Sequence, residues 1–140
     1  MREPFDPEKI LQGKEPLDPH LEALAHDTIG AAIEVHREMG AGYPEHMYEE
    51  ALCHELQLRS IPHVRQSTFQ VFYKEKRVGE GRIDILVGER LVVERKSAET
   101  IVPVHIAQAL SYLKAIRQRL ALVINFNSVM LKSGIKRVIM

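Results

Sequence analysis

Asp84, Glu94 and Lys96, in the middle of the 140-residue chain, are residue types that can bind a metal ion and activate water. Glu94 and Lys96 stand two positions apart in a strand-like run, so their side chains point to the same face. Asp84, from the preceding strand-like segment, would complete a two-carboxylate pocket. Mg²⁺ usually accepts such a pair, because water and substrate phosphate fill the rest of its shell. With Lys96 holding the attacking water, these residues suit hydrolysis of a phosphodiester.

The turn between the two strands decides whether the acids share a pocket. A two-residue turn would place Asp84 and Glu94 on opposite faces of the hairpin. A three-residue loop at residues 88–90 pairs Val87 with Leu91 and sets Asp84 opposite Glu94, on the same face. We therefore predict an odd-numbered loop or a bulge there, which is a known class of hairpin connection.

Three segments have the hydrophobic period of amphipathic helices. The first covers residues 21–39, with Asp18 as a start signal and glycines at its end. The second covers residues 44–59, where proline suits the first turn and Ile61-Pro62 follows the end. The third covers residues 104–120, in which apolar side chains recur every three or four positions.

The middle of the chain has the composition and alternation of β-strands. Three strands in a meander are predicted at residues 63–73, 77–87 and 91–96. A continuous apolar strand at residues 121–124 is of the kind buried on both faces, and residues 135–139 add an edge strand. This order predicts an α/β (α+β) fold in which helices flank a mixed sheet.

Composition limits the class of protein. The chain has 45% hydrophobic and 27% charged residues and no net charge, so it is globular and lacks a global basic field. We expect residues 1–20, rich in proline, to form an extended arm and residues 21–140 to form one domain. No apolar run could cross a bilayer, and a signal core is lacking. With Cys53 as its single cysteine, the chain fits the reducing cytoplasm.

Three motifs of the chain resemble those of a known group of proteins. Asp84 followed by Glu94-Arg95-Lys96 resembles the D-(x)n-E-x-K signature of the PD-(D/E)XK nuclease superfamily. Residues 42–48 (GYPEHMY) are similar to the motif that names its small GxxExxY family. Residues 108–112 (QALSY) resemble the Q-x-x-x-Y motif of its RecB-like branch. The resemblance covers residues 21–138, which is nearly the whole chain.

The resemblance implies a restriction-endonuclease-like αβββαβ core, here with an extra N-terminal helix. It implies a nuclease acting on nucleic acid, with DNA as the expected substrate and Mg²⁺ or Mn²⁺ as the cofactor. Asp84 and Glu94 would bind the metal, the main-chain carbonyl of Arg95 would complete the shell, and Lys96 would assist the water. Gln108 and Tyr112, one helical turn apart, would orient substrate or ligands.

A helix before the sheet often contributes another acid in this superfamily. Glu45 and Glu49 are one turn apart, so either could reach the metal. Arg95 departs from the pattern, because the middle residue of E-x-K is usually apolar and packs beneath the sheet. We expect either that this face is partly open or that Arg95 pairs with an acid, such as Glu99 or a residue of the first helix.

Other readings of these residues remain open at this point. Asp84, Glu94 and Lys96 could form a surface ladder of ion pairs between strands. The chain could also be a binding or accessory module with little activity, working within a complex, or it could act on RNA or nucleotides. Pairing of two subunits in a homodimer would help so small a protein to grip a duplex. Basic residues that could contact phosphate are Arg65, Lys74, Lys76, Arg77, Arg82, Lys132, Lys136 and Arg137.

Overall fold

The computed structural model describes residues 15–96 and 100–140. Within these residues the α-helices are α1 (Pro19–Met39), α2 (Glu45–Leu58) and α3 (Pro103–Ile116), and a short 3-10 helix covers Leu131–Gly134. The Asp18 side chain caps α1 by accepting a hydrogen bond from the Leu21 N–H at 3.0 Å. In the part of the chain described, no helix is long and apolar enough to cross a membrane.

In the described part of the chain, five strands form one sheet whose spatial order follows the sequence. They are β1 (His63–Tyr73), β2 (Lys76–Val87), β3 (Leu91–Lys96), β4 (Leu120–Asn125) and β5 (Ile135–Ile139). The β3–β4 pair is parallel and the other pairs are antiparallel. The sheet is therefore mixed, and the order α2-β1-β2-β3-α3-β4 is the predicted restriction-endonuclease-like core, with α1 before it.

The helices divide between the two faces of the sheet. Helices α1 and α2 cover one face, where Leu52 and Leu56 share a buried cluster with Val93. Helix α3 covers the other face, where Ile106 shares a second cluster with Val92. Because neighbouring residues of β3 face opposite clusters, side-chain alternation places Glu94 and Lys96 towards α3 and Arg95 towards α2.

Two helix boundaries differ from the prediction. Helix α1 starts at Pro19, two residues before its predicted start, and residues 1–14 of the predicted arm lie outside the described part of the chain. Helix α3 stops at Ile116 because Arg117 takes the left-handed conformation, with φ 58° and ψ 46°. Leu120, predicted as the helix end, instead begins β4, since an apolar residue fits the stripe of a helix and a buried strand equally well.

The connection between β2 and β3 is the predicted three-residue loop. Val87 pairs with Leu91, so residues 88–90 form the loop and the register prediction is confirmed. Gly88 has a positive φ of 57°, and a side chain there would meet Leu24 of α1 at 2.8 Å. The loop therefore fixes which residues of the two strands stand opposite one another.

Candidate active site

Strands β2 and β3 separate where the two predicted acids lie. The last paired residues before this point are Ile85 and Val93. Beyond them the Asp84 N–H donates to Glu94 Oε1 at 3.1 Å, and the Arg95 N–H donates to Asp84 Oδ2 at 2.9 Å. Each carboxylate thus binds the main chain of the neighbouring strand, which holds both acids in a fixed geometry.

Glu94 carries its carboxyl group in an environment that disfavours a second negative charge. Its side chain is 4% exposed. Burial and the nearby charge of Asp84 raise the pKa of Glu94 to about 8, although Lys96 acts in the opposite direction. Such a pair is suited to binding a cation, which would relieve the repulsion.

The three other predicted catalytic residues form a chain of hydrogen bonds beside these acids. Lys96 Nζ donates to Gln108 Oε1 at 3.1 Å, and Gln108 Nε2 donates to the Tyr112 hydroxyl at 3.1 Å. Burial, followed by the charge of Glu94, raises the pKa of Tyr112. The structure thus brings Asp84, Glu94, Lys96, Gln108 and Tyr112 together at one place on the α3 face of the sheet.

The ring of Phe69, on β1, packs against the ring of Tyr112. The two rings contact edge to face, with centroids 5.0 Å apart and planes at 67°. Phe69 lies across Gly81 of the paired strand, where an added Cβ would fall 2.1 Å from the ring. Only glycine leaves room for the ring at this position, so Gly81 indirectly positions Tyr112. Phe69 belongs to none of the three sequence motifs, because its cross-strand contact with a glycine depends on the strand register.

Arg95 pairs with acids on the opposite face of the sheet. Its Nε donates to Glu49 Oε1 at 2.8 Å and its Nη1 donates to Glu45. Pairing with an acid was predicted, but the partners belong to α2 and not to the first helix, and Glu99 lies outside the described residues. The arginine is accommodated at the apolar position of the motif because α2 supplies the opposite charges.

Glu49 is the buried centre of this ion-pair cluster. It accepts from Arg65 Nη2 at 2.7 Å and from Gln66 Nε2 at 3.0 Å in addition to Arg95. Burial opposes its charge, yet these hydrogen bonds hold the pKa of Glu49 below its usual value. The structure therefore holds Glu49 at Arg95, on the face of the sheet opposite Glu94, and not at the predicted metal site. Glu45 also binds Arg95, and its role as a metal ligand stays a prediction.

Gln66 was not singled out from the sequence. It has a positive φ of 51°, and it stands opposite Asp84 at a gap in the β1–β2 register, between the pairs Arg65–Ile85 and Ser67–Ile83. This interruption turns the Gln66 side chain to Glu49. A non-glycine residue in this conformation gives no signal in the sequence.

Residues 42–48 anchor the start of α2 behind the site. Tyr48 is fully buried, its hydroxyl donates to the Gly40 carbonyl, and it accepts from the Tyr43 N–H at 3.1 Å. Its ring stacks on Phe126, with centroids 4.8 Å apart. The tyrosine of this motif packs, while Glu45 of the same motif reaches Arg95.

Comparison with protein-family models matches residues 22–138 to the model described as the PD-(D/E)XK nuclease superfamily. The chain belongs to this superfamily. A search of curated proteins and a search of solved structures gave no match. The matched residues include every member of the site and all three predicted motifs. Membership supports the nuclease-type fold, while the narrower GxxExxY family stays a prediction.

PD-(D/E)XK nucleases generally use divalent metals, so the donor set of this member can be tested for its fit to one. Within residues 15–96 and 100–140, no group of three or more His, Cys, Asp or Glu side chains is suited to hold a metal. Asp84 and Glu94 supply two carboxylates, and the carbonyl of Arg95 follows on the same strand. These are hard oxygen donors, which fit Mg²⁺ or Mn²⁺ bound mainly by water and phosphate and do not fit a protein-caged zinc.

Proposed function

We propose that the protein is a divalent-metal-dependent nuclease that hydrolyses phosphodiester bonds of DNA. One observation carries the proposal: Asp84 and Glu94 converge where β2 and β3 separate, with Lys96 close enough to lower the pKa of Glu94. A structural ion-pair ladder would alternate opposite charges, whereas this place holds two adjacent acids, one of them buried. Superfamily membership supports the same reaction class.

The chain supplies groups for binding and for charge neutralisation. Asp84 and Glu94 would hold Mg²⁺ or Mn²⁺, together with the Arg95 carbonyl. When bound, the metal supplies an activated water and stabilises charge on the phosphate. The main-chain N–H groups of Asp84 and Arg95 each fix one carboxylate oxygen, which keeps the ligands in position before substrate arrives.

Lys96 is suited to orient the attacking water and to neutralise negative charge in the transition state. Gln108 accepts a hydrogen bond from its ammonium group, which limits the directions in which the side chain can point. Tyr112 in turn accepts from Gln108, and Phe69 holds the tyrosine ring. Gln108 and Tyr112 thus act as positioning residues for Lys96.

The test is DNA cleavage with Mg²⁺, with Mn²⁺ and with EDTA, on plasmid and on single-stranded circles. Asp84→Asn and Lys96→Met remove a ligand and a cation with little change in volume. Losing one preorganised electrostatic group costs about 10²–10³ in rate. Arg37→Met, at a position 70% exposed on α1, is the control and should leave the rate unchanged.

The outcomes separate an enzyme from an accessory module. Cleavage that requires the metal and falls in both variants supports the nuclease. If the wild-type protein cuts no faster than Lys96→Met, the nuclease proposal is wrong and an accessory role replaces it. Parallel assays on RNA of the same sequence determine whether DNA is the substrate.

A further inference from the structure

The β1–β2 hairpin extends beyond the rest of the sheet and carries exposed aromatic rings. Strand β2 pairs with β3 only at residues 85–87, but it pairs with β1 out to Tyr73 and Lys76. Near this tip, Phe72 is 60% exposed and Tyr73 is 63% exposed. Rings this exposed add little to the core. The Lys74 ammonium group lies over the Tyr73 ring, 5.4 Å from its centroid, whereas the Phe72 ring is available for contact with another molecule.

A cleft lies between this hairpin and α3. Its volume is about 390 Å³, with an aromatic wall on β1 and a polar, cationic wall on α3. The residues that line it are Gln70, Val71, Phe72, Ser111, Lys114 and Ala115. An open cleft that combines a ring face with an ammonium group offers both a stacking surface and a phosphate contact.

The cleft adjoins the candidate active site. Phe69 precedes Gln70 in the first wall, and Tyr112 follows Ser111 in the second, and these two rings contact each other. Tyr112 also belongs to the hydrogen-bonded chain that ends at Lys96. Sequence neighbours of both cleft walls therefore belong to the candidate active site.

The hairpin has a local positive charge in a chain with none overall. Residues 67–83 contain four cations and two acids: Lys74, Lys76, Arg77, Arg82, Glu75 and Glu80. Gln70 donates to Glu80 at 3.2 Å and accepts from Arg77. By contrast, two other basic residues predicted to contact phosphate are held by acids, Arg65 by Glu49 and Glu50, and Arg137 by Glu22.

We propose that this cleft binds a single, unpaired nucleic-acid strand, with a base stacked on Phe72 and phosphates near Lys74 and Lys114. Aromatic platforms beside cations are the usual means of binding single strands, because every unpaired base has an open face. A duplex hides those faces within its own stack. The inference deepens the proposed function by naming the substrate form, and it rests on that function for the identity of the ligand.

Tryptophan fluorescence tests the stacking directly, because the chain has no tryptophan. Phe72→Trp places a single reporter on the cleft, and the protein is titrated in EDTA with oligothymidylate about 15 nucleotides long. We expect the fluorescence to be quenched, with the single strand binding at least about tenfold more tightly than the matching duplex. Leu58→Trp, at a position 66% exposed on α2, is the control and should not respond.

Two further variants test the contacts by fluorescence anisotropy of a labelled oligothymidylate. Phe72→Ala should weaken binding about tenfold, whereas Leu58→Ala should not change it. Lys74→Gln combined with Lys114→Gln should lower the slope of log affinity against log salt by about 0.7 for each lost phosphate contact. An unchanged circular dichroism spectrum confirms that each variant is folded.

The results separate this inference from the nuclease proposal, since binding is measured without metal. Quenching at position 72 without any cleavage would support the cleft and contradict the nuclease. Metal-dependent cleavage that Phe72→Ala leaves unchanged, with no quenching at position 72, would overturn the cleft and leave the nuclease standing. Equal affinity for duplex and single strand would also overturn the inference.

Discussion

Glu49 accepts a hydrogen bond from Arg95 Nε at 2.8 Å, on the face of the sheet opposite Glu94. The main-chain N–H of the same arginine donates to Asp84 Oδ2. Helix α2 therefore holds the side chain of Arg95, while the main chain of Arg95 positions Asp84, a candidate metal ligand. A buried ion-pair cluster on one face supports the acidic pair on the other.

Glu49→Ala should destabilise the protein by about 3 kcal/mol, because it leaves Arg95 and Arg65 without their buried partner. Glu50→Ala is the matched control: Glu50 lies next to Glu49 and also binds Arg65, but its side chain is 66% exposed. The control should stay within about 0.5 kcal/mol of wild type. Urea unfolding measures both, and equal losses would contradict a structural role for the buried acid.

Gly81→Ala should lower the free energy of unfolding by about 1–3 kcal/mol, because the new methyl group displaces the Phe69 ring. Gly79→Ala, two residues away on the same strand, meets nothing within 4 Å and should have a small effect. In the double variant with Phe69→Ala, the Gly81 substitution should cost much less. Additive losses in that cycle would show that the ring contact is not the cause.

In the absence of metal, stability should fall between about pH 5 and pH 8 because of Glu94. Its pKa is about 8 in the folded protein against an ordinary value of 4.5, so the folded state binds more protons in this range. One such group contributes at most about 1.4 kcal/mol per pH unit. Urea unfolding of wild type and Glu94→Gln isolates the effect, and parallel profiles of the two proteins would contradict it.

Cys53 should react slowly with iodoacetamide in the folded protein at pH 8. The thiol is buried, and burial raises its pKa to about 11, so little thiolate is present. Mass spectrometry of the alkylated protein, native and in urea, measures the rates. A native rate close to that in urea would show that this part of α2 opens readily.

The secondary structure was largely predictable, since periodicity reveals which residues face a core. The loop length also predicted that Asp84 and Glu94 lie opposite each other on one face. Side chains alternate between the two faces of a sheet, so the pairing register determines which face each side chain occupies. Leu120 was assigned to the wrong element, since its apolar side chain satisfies two periods at once. The local pattern did not show that it would pair with Leu91 and Ile139.

The other half of the site depended on tertiary contacts. The sequence predicts that Glu45 and Glu49 lie near the site, but only the packing of α2 shows that they bind Arg95. The turned backbone of Gln66 likewise follows from its neighbours in space. The residue types therefore predicted which charged and polar side chains the site could contain. Only the structure shows on which face of the sheet each of them lies.

The most direct test of the central claim is a calorimetric titration with Mn²⁺. We expect Mn²⁺ to bind the wild-type protein and to bind at least about tenfold more weakly to Asp84→Asn and to Glu94→Gln, since each variant lacks one of the two carboxylate ligands. Glu80→Gln, which changes an acid on the same strand as Asp84, should bind Mn²⁺ as wild type does. Equal affinity in all four proteins would contradict a metal site at Asp84 and Glu94.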